Sequence, residues 1–489
     1  MKNNFLTNIL KLSSAPVVTQ VIALVTLPII TRLYSPADFG IYNLFSSIVG
    51  VFTVFCGMGY HQAIVLPKKD KDAFVLFFIS MTLNILLTLL VFFVINYIPL
   101  EYFFNFKIEN LYNYKHLIYI SIFLHGVYVT LLGWHLRFSN FGLISISRVI
   151  RVLSNKLFLI LMATFYYASV KYLIYGEIIG SLFVCIIIFA YTNIYKYLFF
   201  SFKVLKSECV KLALAYKQFP IFSVSIDLLY RSKQALIIFL ITYFFSAELV
   251  GNYGMSLLIL AIPTTFLGSS IGEVFYKKMS LLEDISEIGL LSLRLLKMLC
   301  YSSIFVFTYL AFFSQEILPF FLGEKWVDTG ILISILCFGI FMEFVFGPML
   351  NLFKVLHKQQ FLFYYNLLII VVSTISILIG GFLENFHISF ILFSILSGLS
   401  TLCLALYVFK LVNIKASDIL NLFLTNFYFI FPFLSLFTLV KIYNIDNIFY
   451  LILIGLICFV LYFIILFRLN NDFKLEFFIL IKKIPFLNK

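Results

Sequence analysis

Charge is scarce in this chain. Asp, Glu, Lys and Arg make up 12% of its 489 residues, about half the roughly 25% usual in a soluble domain. Acid is scarcer than base, with 22 Asp and Glu against 35 Lys and Arg, for a net charge of +13. The sequence has no Walker A loop, no GxGxxG fingerprint, no HExxH pair and no GxSxG elbow. Its cysteines (Cys56, Cys185, Cys209, Cys300, Cys337, Cys403 and Cys458) form no CxxC pair and no zinc-type spacing with histidine. They read as small buried hydrophobes. These absences exclude a nucleic-acid binder and a large soluble catalytic domain. They also predict no ATP hydrolysis by the chain itself, no metal and no cofactor.

What fills the space is apolar. Hydrophobic residues make up 63% of the chain and its mean hydropathy is +1.07, which requires apolar segments from end to end. A span needs about 20 apolar residues. Fourteen such segments are expected, near 9–31, 41–66, 73–97, 117–136, 150–168, 173–194, 219–245, 250–275, 296–313, 330–353, 361–382, 388–409, 418–440 and 448–467. The first runs on from Met1-Lys2-Asn3-Asn4 and is too long for a cleaved signal peptide, so it reads as a retained helix. An even count puts both termini on one side. With that side cytoplasmic, only Arg32, Lys107, Lys115, Lys171, Lys325 and Lys441 fall in outer loops, and Arg231 and Lys233 fall within the membrane. Every other basic residue then lies in an inner loop or at a terminus, as the positive-inside rule requires. That distribution largely accounts for the net charge without an acidic partner. The longest outer loop, about 99–116, is too short for a folded domain.

A repeat runs through the pattern. A shift of 211 residues superposes Thr31 on Thr242, Ser35 on Ser246, Gly40 on Gly251, Tyr42 on Tyr253, Ile48 on Ile259, Thr53 on Thr264, Phe55 on Phe266 and Gly57 on Gly268, without a gap. In the first copy Ser35, Pro36 and Asp38 make a helix-start signature. Both copies open a helix from the outer side, so the repeats are parallel, an arrangement that builds two lobes around a central cavity. The expected fold is an all-α polytopic membrane protein of about fourteen helices. It comprises two pseudo-symmetric six-helix bundles, 1–200 and 215–410, and two further helices in 415–489.

Charged groups inside the membrane mark function by default, because each is costly there. On helix seven, Ser223, Asp227, Tyr230, Arg231 and Gln234 share one stripe, and Asp227 and Arg231 are spaced to pair. The repeat sets Gln20 opposite Arg231 and Thr19 opposite Tyr230, so helix one is expected to line the same cavity. Helix two offers Asn43, Ser47, Gly50, Gly57 and His61 on a similar face, with packing the simpler role for the glycines. Gly268-Ser269-Ser270-Ile271-Gly272 also has packing spacing. Glu343 in helix ten is a candidate ion-coupling carboxylate and equally a neutralising partner for a base. For Glu177 and Glu273, pairing is the favoured reading.

Several stretches together resemble the Wzx-type oligosaccharide flippases of the multidrug/oligosaccharidyl-lipid/polysaccharide exporter superfamily. They are Thr31-Arg32-Leu33-Tyr34-Ser35-Pro36-Ala37-Asp38-Phe39-Gly40-Ile41-Tyr42, Ile64-Val65-Leu66-Pro67-Lys68-Lys69-Asp70, Tyr216-Lys217-Gln218-Phe219-Pro220 with Phe244-Phe245-Ser246 and Gly251-Asn252-Tyr253, and Phe321-Leu322-Gly323-Glu324-Lys325-Trp326. The resemblance runs from residue 1 to about 410. It implies alternating-access transport, without an enzymatic step, of an undecaprenyl-pyrophosphate-linked glycan across a bacterial inner membrane, and partners such as the polymerase and chain-length regulator of the same pathway. It also implies cationic cavity side chains for the pyrophosphate, carried loosely onto Arg231 and Arg32. Asp227, Gln20, Tyr230 and Gln234 complete the expected substrate cavity. The rival readings are an ion-coupled drug exporter, which would call for an acidic cavity, and a membrane-embedded polymerase, which generally carries a large outer loop.

Overall fold

The computed structural model describes residues 2–97, 113–192, 202–263, 284–356, 360–444 and 447–470, with single positions at 279, 282, 358, 473 and 474. All regular structure among them is helical. Each expected span meets a helix: α1 (Lys2–Leu33), α2 (Pro36–Thr53), α3 (Asp70–Tyr97), α4 (Lys115–Arg137), α5 (Phe141–Phe165), α6 (Val170–Ala190), α7 (Val224–Phe244), α8 (Ala247–Pro263), α9 (Ile285–Leu322), α10 (Val327–Phe346), α11 (Gln360–Phe382), α12 (Phe386–Leu411), α13 (Ala416–Ile442) and α14 (Ile448–Leu469). Among the described residues, ten stretches are long and apolar enough to cross a membrane by length and composition alone, and α2 with its bent continuation makes an eleventh. The others have visible reasons for falling short. α5 carries Arg148, Arg151 and Lys156, α7 carries Asp227, Arg231 and Lys233, and α8 reaches the edge of the described residues at Pro263. Glu273 and the stretch 268–272 lie outside the described residues.

By contact the chain divides into two units, Met1–Gly254 and Met255–Lys489. In the first, one cluster gathers Phe74, Phe77, Tyr60 and Val184 around the fully buried Trp134. A second fills the space between α2, α3, α4 and α6 with Phe45, Ile48, Val91, Ile122 and Ile174. α1 lies along α5, tied by the Tyr34 hydroxyl, which donates to the Leu159 carbonyl at 3.0 Å. The connecting helix Phe202–Ala215 presses Leu212 and Ala213 onto the Trp134 cluster. Arg137, at the end of α4, straps down the turn before α3. Its guanidinium donates to Asp70 Oδ1 at 2.7 and 2.9 Å and to the Pro67 and Ile64 carbonyls at 2.6 and 3.2 Å.

α2 starts with a capping box. The Asp38 N–H donates to Ser35 Oγ at 3.1 Å, and the Ser35 N–H donates to Asp38 Oδ2 at 3.0 Å. The repeat reproduces the first of these bonds, since Leu249 N–H donates to Ser246 Oγ, also at 3.1 Å. The two copies touch in a reciprocal manner. A Cβ on Gly40 would overlap the Ala247 carbonyl oxygen, and one on Gly251 would overlap that of Pro36. Gly251 and Ala247 are the 211-residue counterparts of Gly40 and Pro36, so each contact is the image of the other, the signature of a two-fold relation. Asn43 Nδ2 points at the Val250 carbonyl, 3.5 Å away, and lies against its own counterpart, Gly254.

Helix two does not run straight. After Thr53 the chain passes through Gly57, Met58 and Gly59, with φ of 58°, 46° and 75°, a left-handed turn that glycine tolerates and most residues do not. The continuation Tyr60–Ala63 is bent by 53° from α2. Gly59 lies against the backbone of Phe219. Phe219 begins a π-helical turn, Phe219–Ser223, that contains Pro220 and leads into α7. The π form suits the missing proline N–H and the displaced carbonyl.

In the second unit α9 begins at Ile285 rather than near 296. It has 38 residues and is about 57 Å long at 1.5 Å per residue, well beyond a hydrocarbon core of about 30 Å. Asp284 caps it, accepting from the Ser286 N–H at 2.9 Å. α13 and α14 pack on α9 through Tyr301, Phe305, Phe313, Phe437 and Tyr462. The Tyr462 hydroxyl donates to the Tyr301 carbonyl at 2.8 Å and that of Tyr309 to the Leu451 carbonyl at 2.9 Å. A Lys441–Glu316 ion pair joins α13 to α9 as well.

Candidate functional site

Five helices of the first unit converge on a cavity of about 260 Å³. α2 contributes Tyr42, Ser46, Gly50 and Thr53, α4 contributes Ser121 and His125, α5 contributes Arg151, α6 contributes Glu177 and Ser181, and α7 contributes Arg231. Two guanidiniums and one carboxylate thus meet in one cavity. Their presence at depth is what the cost of intramembrane charge reserves for wet or liganded sites.

Each group has a local reason for its place. Arg151 stands on the eleventh residue of α5, about 15 Å from its start. Its guanidinium pairs with Glu177 of α6 and lies 5.0 Å from the centroid of the Tyr128 ring, a cation–π contact. α5 and α6 approach closely because Gly176 and Gly180 of α6 face Leu159, Asn155 and the Arg151 carbonyl, which sets Glu177 within reach. Arg231 extends past Gly50, where an added Cβ would lie 3.9 Å from Arg231 Cδ. Gly50 and the Arg231 side chain thus line the same stretch of cavity wall. His125 faces the same space, one helical turn beyond Ser121.

Of the residues expected from sequence, the structure brings Arg231 to this cavity. Asp227 is exposed, is not among the lining residues, and no ion pair joins it to Arg231 among the described residues. Tyr230 and Gln234 are exposed as well and bond to each other, Gln234 Nε2 donating to the Tyr230 oxygen at 3.1 Å. Gln20 is half-buried on α1, and none of the described side chains of α1 lines the cavity. Arg32, at the last turn of α1, is exposed. Glu343 stands on α10 in the second unit, exposed and in the electrostatic neighbourhood of Tyr365. Tyr365 shares a 2.7 Å hydrogen bond with Thr401. Glu177 is paired, as its reading from sequence favoured.

Arg151 and His125 are the site residues that sequence reasoning missed. From sequence Arg151 falls at an inner loop, at the start of a span expected near 150–168, whereas α5 begins at Phe141. The signal lies in Arg148 and Arg151, one helical turn apart in a stretch from Leu143 to Tyr175 that holds no glycine or proline. For His125 the signal is an imidazole at the middle of an apolar span, away from the histidines near its ends.

A family described as "Polysaccharide biosynthesis protein" matches residues 29–331. No curated protein sequence matches the chain. Among solved structures, the fold is similar to that of lipid II flippase MurJ in an inward closed conformation, with a TM-score of 0.69 at 15% identity, covering 94% of this chain and 98% of that one. It is also similar to a multidrug resistance MATE family transporter of the MOP superfamily in its inward-facing conformation, with a TM-score of 0.56 at 12% identity, covering 82% of this chain and 94% of that one. At these identities the likeness is one of fold.

Proposed function

This chain belongs to the polysaccharide biosynthesis protein family, and we propose on that premise that it is a flippase for lipid-linked oligosaccharides. Its cargo in this reading is an undecaprenyl-pyrophosphate-linked repeat unit, carried by alternating access from the inner to the outer leaflet of a bacterial inner membrane. Both termini are cytoplasmic, no covalent step occurs on the protein, and the polymerase and chain-length regulator of the pathway take over the product. Its two six-helix lobes in this reading are 1–200 and 215–410, with 415–489 appended.

The observation that carries the reading is the convergence of Arg231 and Arg151 on one cavity walled by five helices. A cation-selective exporter would be served by carboxylates there, and the single carboxylate present, Glu177, is already committed to Arg151. A diphosphate diester is a compact dianion whose oxygens suit guanidinium forks. Direction follows from the field. Moving negative charge outward, against a negative interior, gains about 2.3 kcal/mol per charge per 100 mV.

Deleting the gene in its native host and assigning lipid-linked glycans to a leaflet with an impermeant probe tests the reading. Single repeat units trapped on the cytoplasmic face support it. Units that reach the outer face unpolymerised point to a polymerase instead, and unchanged glycans leave the drug exporter. In the complemented strain, Arg231→Ala at normal expression abolishes surface glycan, and full export by that variant removes Arg231 from the mechanism.

A further inference from the structure

In the second unit, α9 and α13 offer each other opposite charges at two levels. Near the end of α13 the Lys441–Glu316 ion pair joins the two helices directly. Near its start, Lys297 of α9 and Asp418 of α13 line one cavity of about 520 Å³, and no ion pair joins the one to the other. Asp418 is half-buried, and among the described residues no basic side chain pairs with its carboxylate. A first-turn carboxylate suits the dipole of α13, but that role alone calls for no cavity shared with a lysine of another helix. The cavity lies where α13 begins and α14 ends, since Asn470, the residue after α14, also lines it. α13 has 27 residues and α14 has 22, about 40 and 33 Å at 1.5 Å per residue. Each is long enough to cross a hydrocarbon core of about 30 Å, so their common end stands at the depth of lipid headgroups.

We propose that this cavity binds the headgroup of a zwitterionic lipid with a primary ammonium and a phosphate diester, a phosphatidylethanolamine, which bridges α9 and α13 where no ion pair does. The volume falls within the roughly 300–1,000 Å³ of pockets that enclose small ligands. Its polar lining sorts by charge. Lys297 meets the phosphate, and so does the amide NH2 of Asn470, whose side-chain oxygen is spent on the Phe473 N–H at 3.0 Å. Asp418 takes the ammonium, with Asn421 and Thr425 on the same face of α13. Leu422, Phe429 and Leu469 add apolar wall, which suits the glycerol backbone and the first carbons of the acyl chains. A purely anionic headgroup would set like charge against Asp418. Phosphatidylcholine carries both charges, but its quaternary ammonium has no N–H to donate to the carboxylate. The site thus distinguishes lipids by the ammonium as well as by the phosphate, and it is independent of the flippase reading.

The test uses the full chain, delipidated in a mild detergent and titrated with the dioleoyl forms of phosphatidylethanolamine, phosphatidylcholine and phosphatidylglycerol, with bound lipid counted by native mass spectrometry. Wild type holds one phosphatidylethanolamine about tenfold more tightly than either other lipid, the size of one hydrogen bond to a charged group. Asp418→Asn brings phosphatidylethanolamine down to the level of phosphatidylcholine and leaves phosphatidylcholine as it was. Lys297→Met weakens all three, because all three carry the phosphate. Equal retention of the three lipids by wild type overturns the proposal, as does a preference for phosphatidylglycerol, which would mark an anionic-lipid site. A preference for phosphatidylethanolamine that survives Asp418→Asn places that lipid elsewhere on the protein and overturns it too. Should Asp418→Asn fail to fold, the order of the three lipids on wild type and its loss in Lys297→Met still decide. None of these outcomes bears on glycan export, so the flippase reading stands or falls separately.

Discussion

The reciprocal contact at the start of α2 and α8 allows a quantitative test of the internal symmetry. Gly40→Ala sets a methyl against the Ala247 carbonyl, and Gly251→Ala sets one against the Pro36 carbonyl. Each obstacle is main chain in the first turn of a helix, so no side chain can rotate out of the way and the helices must move apart. Overpacking of this kind costs about 1–3 kcal/mol, and a backbone obstacle places both variants near the upper end. Because the two contacts are images of one another, the two single costs agree to within about 0.5 kcal/mol, the usual spread for equivalent independent sites. The double variant is the discriminating one. A helix separation that admits the first methyl already admits the second, so the pair costs well under the sum of the singles, with a coupling of about 1–3 kcal/mol. Equilibrium unfolding of the purified protein in a mild detergent, with all variants in the same micelle, measures each value. A neutral single variant, single costs that differ by more than about 1 kcal/mol, or strict additivity would refute the shared contact.

Two further predictions follow from the caps and straps. Arg137→Lys keeps the charge but loses the fork that reaches Asp70 and the carbonyls of Ile64 and Pro67 together. It destabilises by about 1.5–3 kcal/mol and speeds proteolysis within residues 64–70, and an unchanged cleavage rate would dismiss the strap. At Asp284, hydrogen bonds from the Ser286 side chain and backbone hold the carboxyl below its ordinary value of 3.8. The cap is therefore complete above that value and is lost as pH falls through the lower folded pKa. Amide exchange in the first turn of α9 quickens at the acid end in wild type, while Asp284→Ala exchanges fast at every pH. Identical profiles for the two proteins would remove the capping role.

Reading the helices from sequence works where apolarity alone decides the structure, as in α3, α11 and α14, whose runs are uninterrupted. It misplaces edges where charge sits on a continuing helix. α5 starts at Phe141 and α9 at Ile285, because polar residues mark the end of hydrocarbon, not the end of hydrogen bonding. Partnerships are harder still. Asp227 and Arg231 have the spacing of a helical pair, yet Arg231 reaches past Gly50 into the cavity and the ion pair forms instead between Arg151 and Glu177, 26 residues apart. Spacing constrains which residues share a face, whereas the choice of ion partner depends on which helices pack together. The repeat was the exception, since an offset read from identities carried through to a shared cap bond and a mirrored contact.

The left-handed turn at Gly57, Met58 and Gly59 divides helix two into parts with separate allegiances. Before the turn, Tyr42, Ser46, Gly50 and Thr53 furnish the cavity wall. After it, Tyr60, Ala63 and Ile64 belong to the Trp134 cluster. The wall can therefore be rewritten while the footing stays as it is, and a chimaera spliced at Gly57 would exchange the cavity lining and keep the anchorage.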